Sequence, residues 1–131
     1  MEEMVFLKER SQEFWEEGLR LFKEGKYDLS AFHLEQAIQL WAKYLIGIKI
    51  GDWPKTHYLS ELIKELAKAW QNKEILEFYR QKELFFDSLE DAYFTSRYFP
   101  KKFSQNGVNQ LIENSKEFLE LTEKITKEKF F

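Results

Sequence analysis

Three cations with aromatic residues between them occupy one short segment, and their types fit a chemical task. Residues 97–103, RYFPKKF, contain no acidic residue. Arginine and lysine bind phosphate, and aromatic rings stack on bases, so this segment could bind a nucleotide or RNA. The candidate binding residues are Arg97, Tyr98, Lys101 and Lys102. A helix end explains the same pattern, with the arginine on the helix dipole and the rings anchoring a solvated loop, so both interpretations stay open.

The chain has two histidines and no cysteine, which narrows its catalytic chemistry. Without cysteine it has no disulfide, no thiolate zinc site and no cysteine nucleophile. Neither histidine has a Glu-x-x-His or His-x-x-x-His spacing, so the sequence predicts no metal site and no cofactor. His57 follows the turn at residues 54–56, where it either fixes the loop or contributes to binding. His33 is expected to be structural, at a seam between two helices.

The overall composition indicates a folded protein that is not basic as a whole. The 131 residues are 44% hydrophobic and carry a net charge of −3, so we expect one domain over residues 1–131. The uncharged runs are shorter than the roughly 20 residues of a membrane span. The acidic start, residues 1–4, does not resemble a signal peptide. The sequence therefore predicts a cytoplasmic protein that does not associate with membranes.

Apolar residues recur at three- and four-residue spacing along the chain, without the alternation typical of strands. This periodicity predicts an all-α, single-domain, up-and-down antiparallel bundle of four to five helices. The predicted helices cover residues 4–24, 29–48, 57–70, 73–96 and 105–127. Gly25 is expected to end the first helix, Asp28 to cap the second and Ser104 to cap the last. Gly47 and Gly51 are expected to break the second helix.

Three segments, in this order, resemble the HEPN domain family (higher eukaryotes and prokaryotes nucleotide-binding). Residues 25–45, GKYDLSAFHLEQAIQLWAKYL, are similar to the family's turn of glycine, an aromatic residue and alanine, followed by a Gln-Ala-aliphatic step and a later lysine. Residues 54–62, PKTHYLSEL, resemble its Thr-His-x-Leu-x-x-Leu segment. Residues 96–100, SRYFP, resemble its Ser/Thr-Arg-Tyr-Pro loop, with one extra residue before the proline.

The resemblance implies a helical bundle that commonly forms a homodimer. Many prokaryotic members occur beside a small nucleotidyltransferase in two-component modules of the toxin–antitoxin kind. Several branches are metal-independent ribonucleases with an Arg-x(4–6)-His motif, whose arginine holds the scissile phosphate while the histidine transfers protons. No histidine follows His57 here, so this motif is absent. The resemblance carries over Arg97 and Tyr98 only as loop members, and His57 only as the histidine of the Thr-His segment.

The sequence therefore predicts a HEPN-like protein without the ribonuclease motif. It would act as the dimeric partner of a small nucleotidyltransferase, bind a nucleotide or RNA at the basic loop, or do both. The alternative is a toxin-like, metal-independent ribonuclease with a divergent site at Arg97, in which Lys101 or Lys102 replaces the histidine. Lysine is a poor base at neutral pH unless it is strongly desolvated. A helical interaction module, with aromatic residues at a dimer interface, is the third possibility.

Overall fold

The computed structural model describes residues 2–100 and 102–131, and it contains no strand in these residues. Its six helices are α1 (Glu2–Lys23), α2 (Tyr27–Ile50), α3 (Leu59–Ala69), α4 (Lys73–Gln81), α5 (Glu83–Thr95) and α6 (Gln105–Thr126). The predicted all-α bundle is confirmed, with one helix more than the four to five expected. Within the described residues, no helix is both long and apolar enough to cross a bilayer.

The central helix is α2, which contacts α1, α3, α5 and α6. Its residues Leu34, Ile38 and Trp41 are completely buried. The indole N–H of Trp41 donates a hydrogen bond of 3.0 Å to the hydroxyl of Thr122 on α6. The Trp41 ring also meets Phe130 edge-on, with 5.1 Å between ring centres. The buried core therefore ties the end of the chain to the central helix.

The first two helices form an antiparallel hairpin, because only residues 24–26 connect them. Gly25, with φ of 77°, ends α1 in the left-handed conformation as predicted. The two helices approach closely where small residues meet. The Ser30 hydroxyl donates to the Gly18 carbonyl at 2.7 Å, and the Ser11 hydroxyl donates to the Ala37 carbonyl at 2.8 Å. These bonds satisfy buried hydroxyls and fix the register of the hairpin.

The helix predicted over residues 73–96 is wrong as a single element, because it bends at Lys82 into α4 and α5. Lys82 has φ of −111° and ψ of 29°, outside the helical range. Residues 80–83, RQKE, are all polar, so a straight helix would present no apolar side chain to the core there. The bend instead buries Phe85 and Phe86. It also places the Lys82 ammonium 3.2 Å from the Glu117 carboxylate on α6.

The end of α2 also differs from the prediction. Gly47 does not break the helix, which continues to Ile50 and ends at Gly51 with φ of 90°. Gly47 is needed for space instead, since a Cβ there would lie 2.5 Å from the Met4 sulfur. The Ser104 cap of α6 is confirmed, because its hydroxyl accepts a hydrogen bond from the Gly107 N–H at 2.9 Å.

Candidate functional site

Arg97 lies exposed in the turn after α5, surrounded by aromatic rings. Its guanidinium carbon is 4.8 Å from the ring centre of Tyr93, 5.3 Å from that of Tyr98 and 5.7 Å from that of Phe32. Its Nε donates to the Tyr93 carbonyl at 3.1 Å, so one nitrogen does cap the helix end. Among the described residues, no carboxylate lies within ion-pair distance of Arg97. The outer N–H groups can therefore donate to an incoming anion.

Four rings from three elements form an aromatic cluster beside Arg97, consisting of Phe32, His57, Tyr93 and Phe94. The His57 ring stacks on Tyr93, with 4.7 Å between centres and 16° between planes. Phe32 of α2 lies near the same ring at 6.2 Å, and Phe94 meets His57 at 5.6 Å. His57 itself precedes α3, which begins at Leu59 and not at residue 57 as predicted. The structure thus brings His57 and Arg97 to one ring, although they are distant in sequence.

The aromatic residues of the 97–103 segment divide into two kinds. Tyr98 and Phe99 are 71% and 61% exposed, whereas Phe103 is half-buried against the core. Tyr58 is also exposed and lies 6.1 Å from Phe94. Such exposed rings beside a cation are available for stacking on a base or for contact with another protein.

The other two predicted cations of the segment differ from Arg97. The Lys102 ammonium lies 3.6 Å from the Asp91 carboxylate, so it is already paired within the chain. Lys101 falls outside the described residues. The backbone is fixed by Asp28, whose two oxygens accept from the N–H groups of Lys102 at 3.1 Å and Phe103 at 2.8 Å. Asp28 therefore anchors this segment, and the prediction that it caps α2 is wrong.

His33 lies at the α1–α2 seam, as expected, and not beside the guanidinium of Arg97. Its Nδ1 is 2.8 Å from the Leu29 carbonyl oxygen. Its ring packs between Phe14, at 5.5 Å, and Phe32, at 5.7 Å. It touches the aromatic cluster only through Phe32, which supports a structural role.

A buried polar network on α2, which sequence reasoning missed, contains the carboxylate of Glu35. This side chain is completely buried and accepts hydrogen bonds from the amides of Gln36 at 2.7 Å and Gln39 at 2.9 Å. The Lys43 ammonium donates to the Gln39 oxygen at 3.0 Å rather than to the carboxylate. Burial raises the pKa of Glu35 to about 7 and lowers the pKa of Lys43.

A sequence signal for this network did exist. Glu35, Gln39 and Lys43 are spaced four residues apart, so they share one face of the most buried helix. Polar residues repeating on an otherwise apolar helix indicate a satisfied internal network. The Glu90 carboxylate of α5 also acts electrostatically on Glu35 and accepts a 3.4 Å hydrogen bond from the Ser60 N–H. The network therefore reaches the helix that carries Tyr93.

Comparison with known proteins gives one match. A family model described as HEPN domain matches residues 4–125. No curated protein and no solved structure matches the chain. In the described part of the chain, no three histidine, aspartate or glutamate side chains are grouped closely enough to hold a metal ion. The chemistry that can be assigned to the site therefore rests on the guanidinium, the imidazole and the rings themselves.

Proposed function

The chain belongs to the HEPN domain family, and from this premise we propose that it binds phosphate groups of a nucleotide or of single-stranded RNA at Arg97. The observation that carries the proposal is the environment of this guanidinium. It is exposed and held by the Tyr93, Tyr98 and Phe32 rings, without a carboxylate partner among the described residues. A cation fixed in this way keeps its charge and its outer donors for an external anion.

The surrounding groups supply the remaining contacts of such a ligand. The exposed rings of Tyr98 and Phe99 offer faces on which bases can stack, at about 1–3 kcal/mol per base. Lys101 and Lys102 add positive charge along the same segment. Lys102 would exchange its exposed Asp91 partner for a phosphate at little cost, because surface ion pairs are weak.

We further propose that the chain assembles as a homodimer through the exposed rings of Tyr58, Phe94 and Phe99. Exposed aromatic side chains near a charged centre are typical of protein interfaces. Light scattering at micromolar concentration should give a dimer, and Phe99→Glu should shift it toward monomer. A strict monomer would remove this part of the proposal. A small nucleotidyltransferase is the second partner that we propose, and it is tested by co-purification with this chain from its host.

A second function, RNA cleavage, is favoured by one specific observation. Although the Arg-x(4–6)-His motif is absent, His57 stacks at 4.7 Å on the ring that Arg97 contacts at 4.8 Å. Imidazole is the side chain best suited to proton transfer near neutral pH, and a guanidinium can hold a phosphate beside it. In this alternative, Arg97 and His57 would act on one RNA phosphate without a metal ion.

Fluorescence anisotropy with a short labelled single-stranded RNA, and calorimetry with ATP, test binding. Arg97→Ala should weaken binding roughly tenfold, and Arg97→Lys should weaken it less because it keeps the charge. Arg10→Ala is the matched control, because Arg10 is also exposed and lies 4.6 Å from a ring centre, that of Phe6. Equal affinity of Arg97→Ala and Arg10→Ala would refute the proposal.

The same RNA, analysed on a gel after incubation, separates binding from cleavage. We expect it to stay intact. Cleavage lost in both Arg97→Ala and His57→Phe would replace the binding function by the ribonuclease. The phenylalanine keeps the stacking on Tyr93 and removes only the titrating nitrogens, so a structural effect is controlled.

A further inference from the structure

The largest cavity of the described residues, about 760 Å³, lies between α3 and α4 and shares no residue with the aromatic cluster. Four cations are among its lining residues: Lys64, Lys68, Lys73 and Arg80. No acidic residue lines it, and its apolar part includes Ala67 and Leu76. It therefore combines positive charge with an apolar surface.

The charge of this cavity is a matter of placement, because the helical hairpin that forms it is neutral overall. Residues 59–81 also contain four acids, Glu61, Glu65, Glu74 and Glu77, and none of them lines the cavity. On α3, Lys64 and Lys68 are four residues apart and share one face. On α4, Lys73 and Arg80 are seven residues apart and share another. The hairpin therefore separates its charges, with the cations toward the cavity.

Most of these cations have no partner within the chain. In the described residues, no carboxylate lies within ion-pair distance of Lys64, Lys68 or Lys73. Arg80 pairs with Glu77 at 3.8 Å, in an exposed and therefore weak contact. Like charges at this density repel one another, so an anion bound among them would relieve the repulsion.

We propose that this cavity binds a compact ligand carrying several phosphate charges, of the nucleoside triphosphate class. Three unpaired lysines and one weakly paired arginine match the charge of a triphosphate chain. The volume lies within the roughly 300–1,000 Å³ of small-molecule sites. Ala67 and Leu76 offer apolar contact to the part of the ligand that carries no phosphate. This site is separate from the Arg97 surface.

Calorimetry with inorganic triphosphate and with ATP tests the proposal on the full chain. Both should bind, and the double variant Lys64→Glu/Lys73→Glu should weaken both by about tenfold or more. Both lysines are exposed, and a glutamate at position 73 suits the first turn of α4, so folding is retained and circular dichroism verifies it. Lys129→Glu is the control, with a charge reversal at an exposed position outside the cavity.

The outcomes separate this site from the function proposed above. Arg97→Ala should leave triphosphate affinity unchanged, while Lys64→Glu/Lys73→Glu lowers it. The proposal is overturned if neither triphosphate binds, or if the double variant binds like Lys129→Glu. It is also overturned if single-stranded RNA binds in the cavity and neither triphosphate does, because the ligand would then be an extended polyanion.

Discussion

Replacing Glu35 by glutamine should change how the stability of the protein depends on pH. Burial raises the pKa of this carboxyl from 4.5 to about 7 in the folded protein. The folded state therefore holds the Glu35 proton more tightly than the unfolded chain. This contribution to stability is full below pH 4.5 and is lost as the pH rises through about 7. Glutamine resembles the protonated, neutral form at every pH.

The size of the effect follows from the shift. At about 1.4 kcal/mol per pKa unit, the rise from 4.5 to about 7 corresponds to about 3 kcal/mol in all. Because Glu35 is completely buried, solvent does not screen this contribution. Most of it develops between about pH 5 and about pH 8. Over that range, the free energy of unfolding of Glu35→Gln should rise relative to wild type by roughly 2–3 kcal/mol.

Urea denaturation followed by far-ultraviolet circular dichroism, repeated across this pH range, measures the difference. Other titrating groups cancel in the comparison, because both proteins contain them. Glu65→Gln makes the same change of charge at an exposed position and should run parallel to wild type. Parallel curves for Glu35→Gln and wild type would refute the reasoning, and so would a wild type that gains on the variant as the pH rises.

Three further changes test individual contacts by chemical denaturation. Gly51→Ala should cost about 1 kcal/mol, purely from the φ of 90°, since no atom obstructs a Cβ there; an unchanged stability would exclude the strain. Trp41→Phe should cost about 1–3 kcal/mol through the lost hydrogen bond to Thr122 and the void it leaves, and a smaller loss would show that the core refills. Asp28→Ala should cost about 1–2 kcal/mol and speed proteolysis within residues 97–103, and equal cleavage rates would show that Asp28 does not hold the segment.

The sequence predicted the helical class and most helix ends because these depend on local signals. Gly25 and Ser104 act within one turn of their own positions, so their roles could be read directly. The bend at Lys82 has no glycine or proline to mark it, and only the polar run at residues 80–83 indicates it. Gly47 was misjudged because its role depends on Met4, which is distant in the chain and close only after folding.

The candidate site shows the same limit. Arg97 and His57 could each be selected from their neighbours in sequence, but their common contact with Tyr93 depends on three elements packing together. Asp28 was assigned to its own helix, whereas its carboxylate binds the backbone of a segment far along the chain. The pairing of Lys102 with Asp91 is likewise tertiary. Residue types predicted the candidates, and packing decides which of them keep free donors.

An NMR titration of the labelled protein with a short single-stranded RNA tests the central claim most directly. The account predicts that the largest amide shifts fall on residues 55–58 and 93–100, around Arg97 and the aromatic cluster, and that Arg97→Ala reduces them. The account is contradicted if RNA leaves these residues unperturbed, or if its shifts are confined to another surface of the bundle.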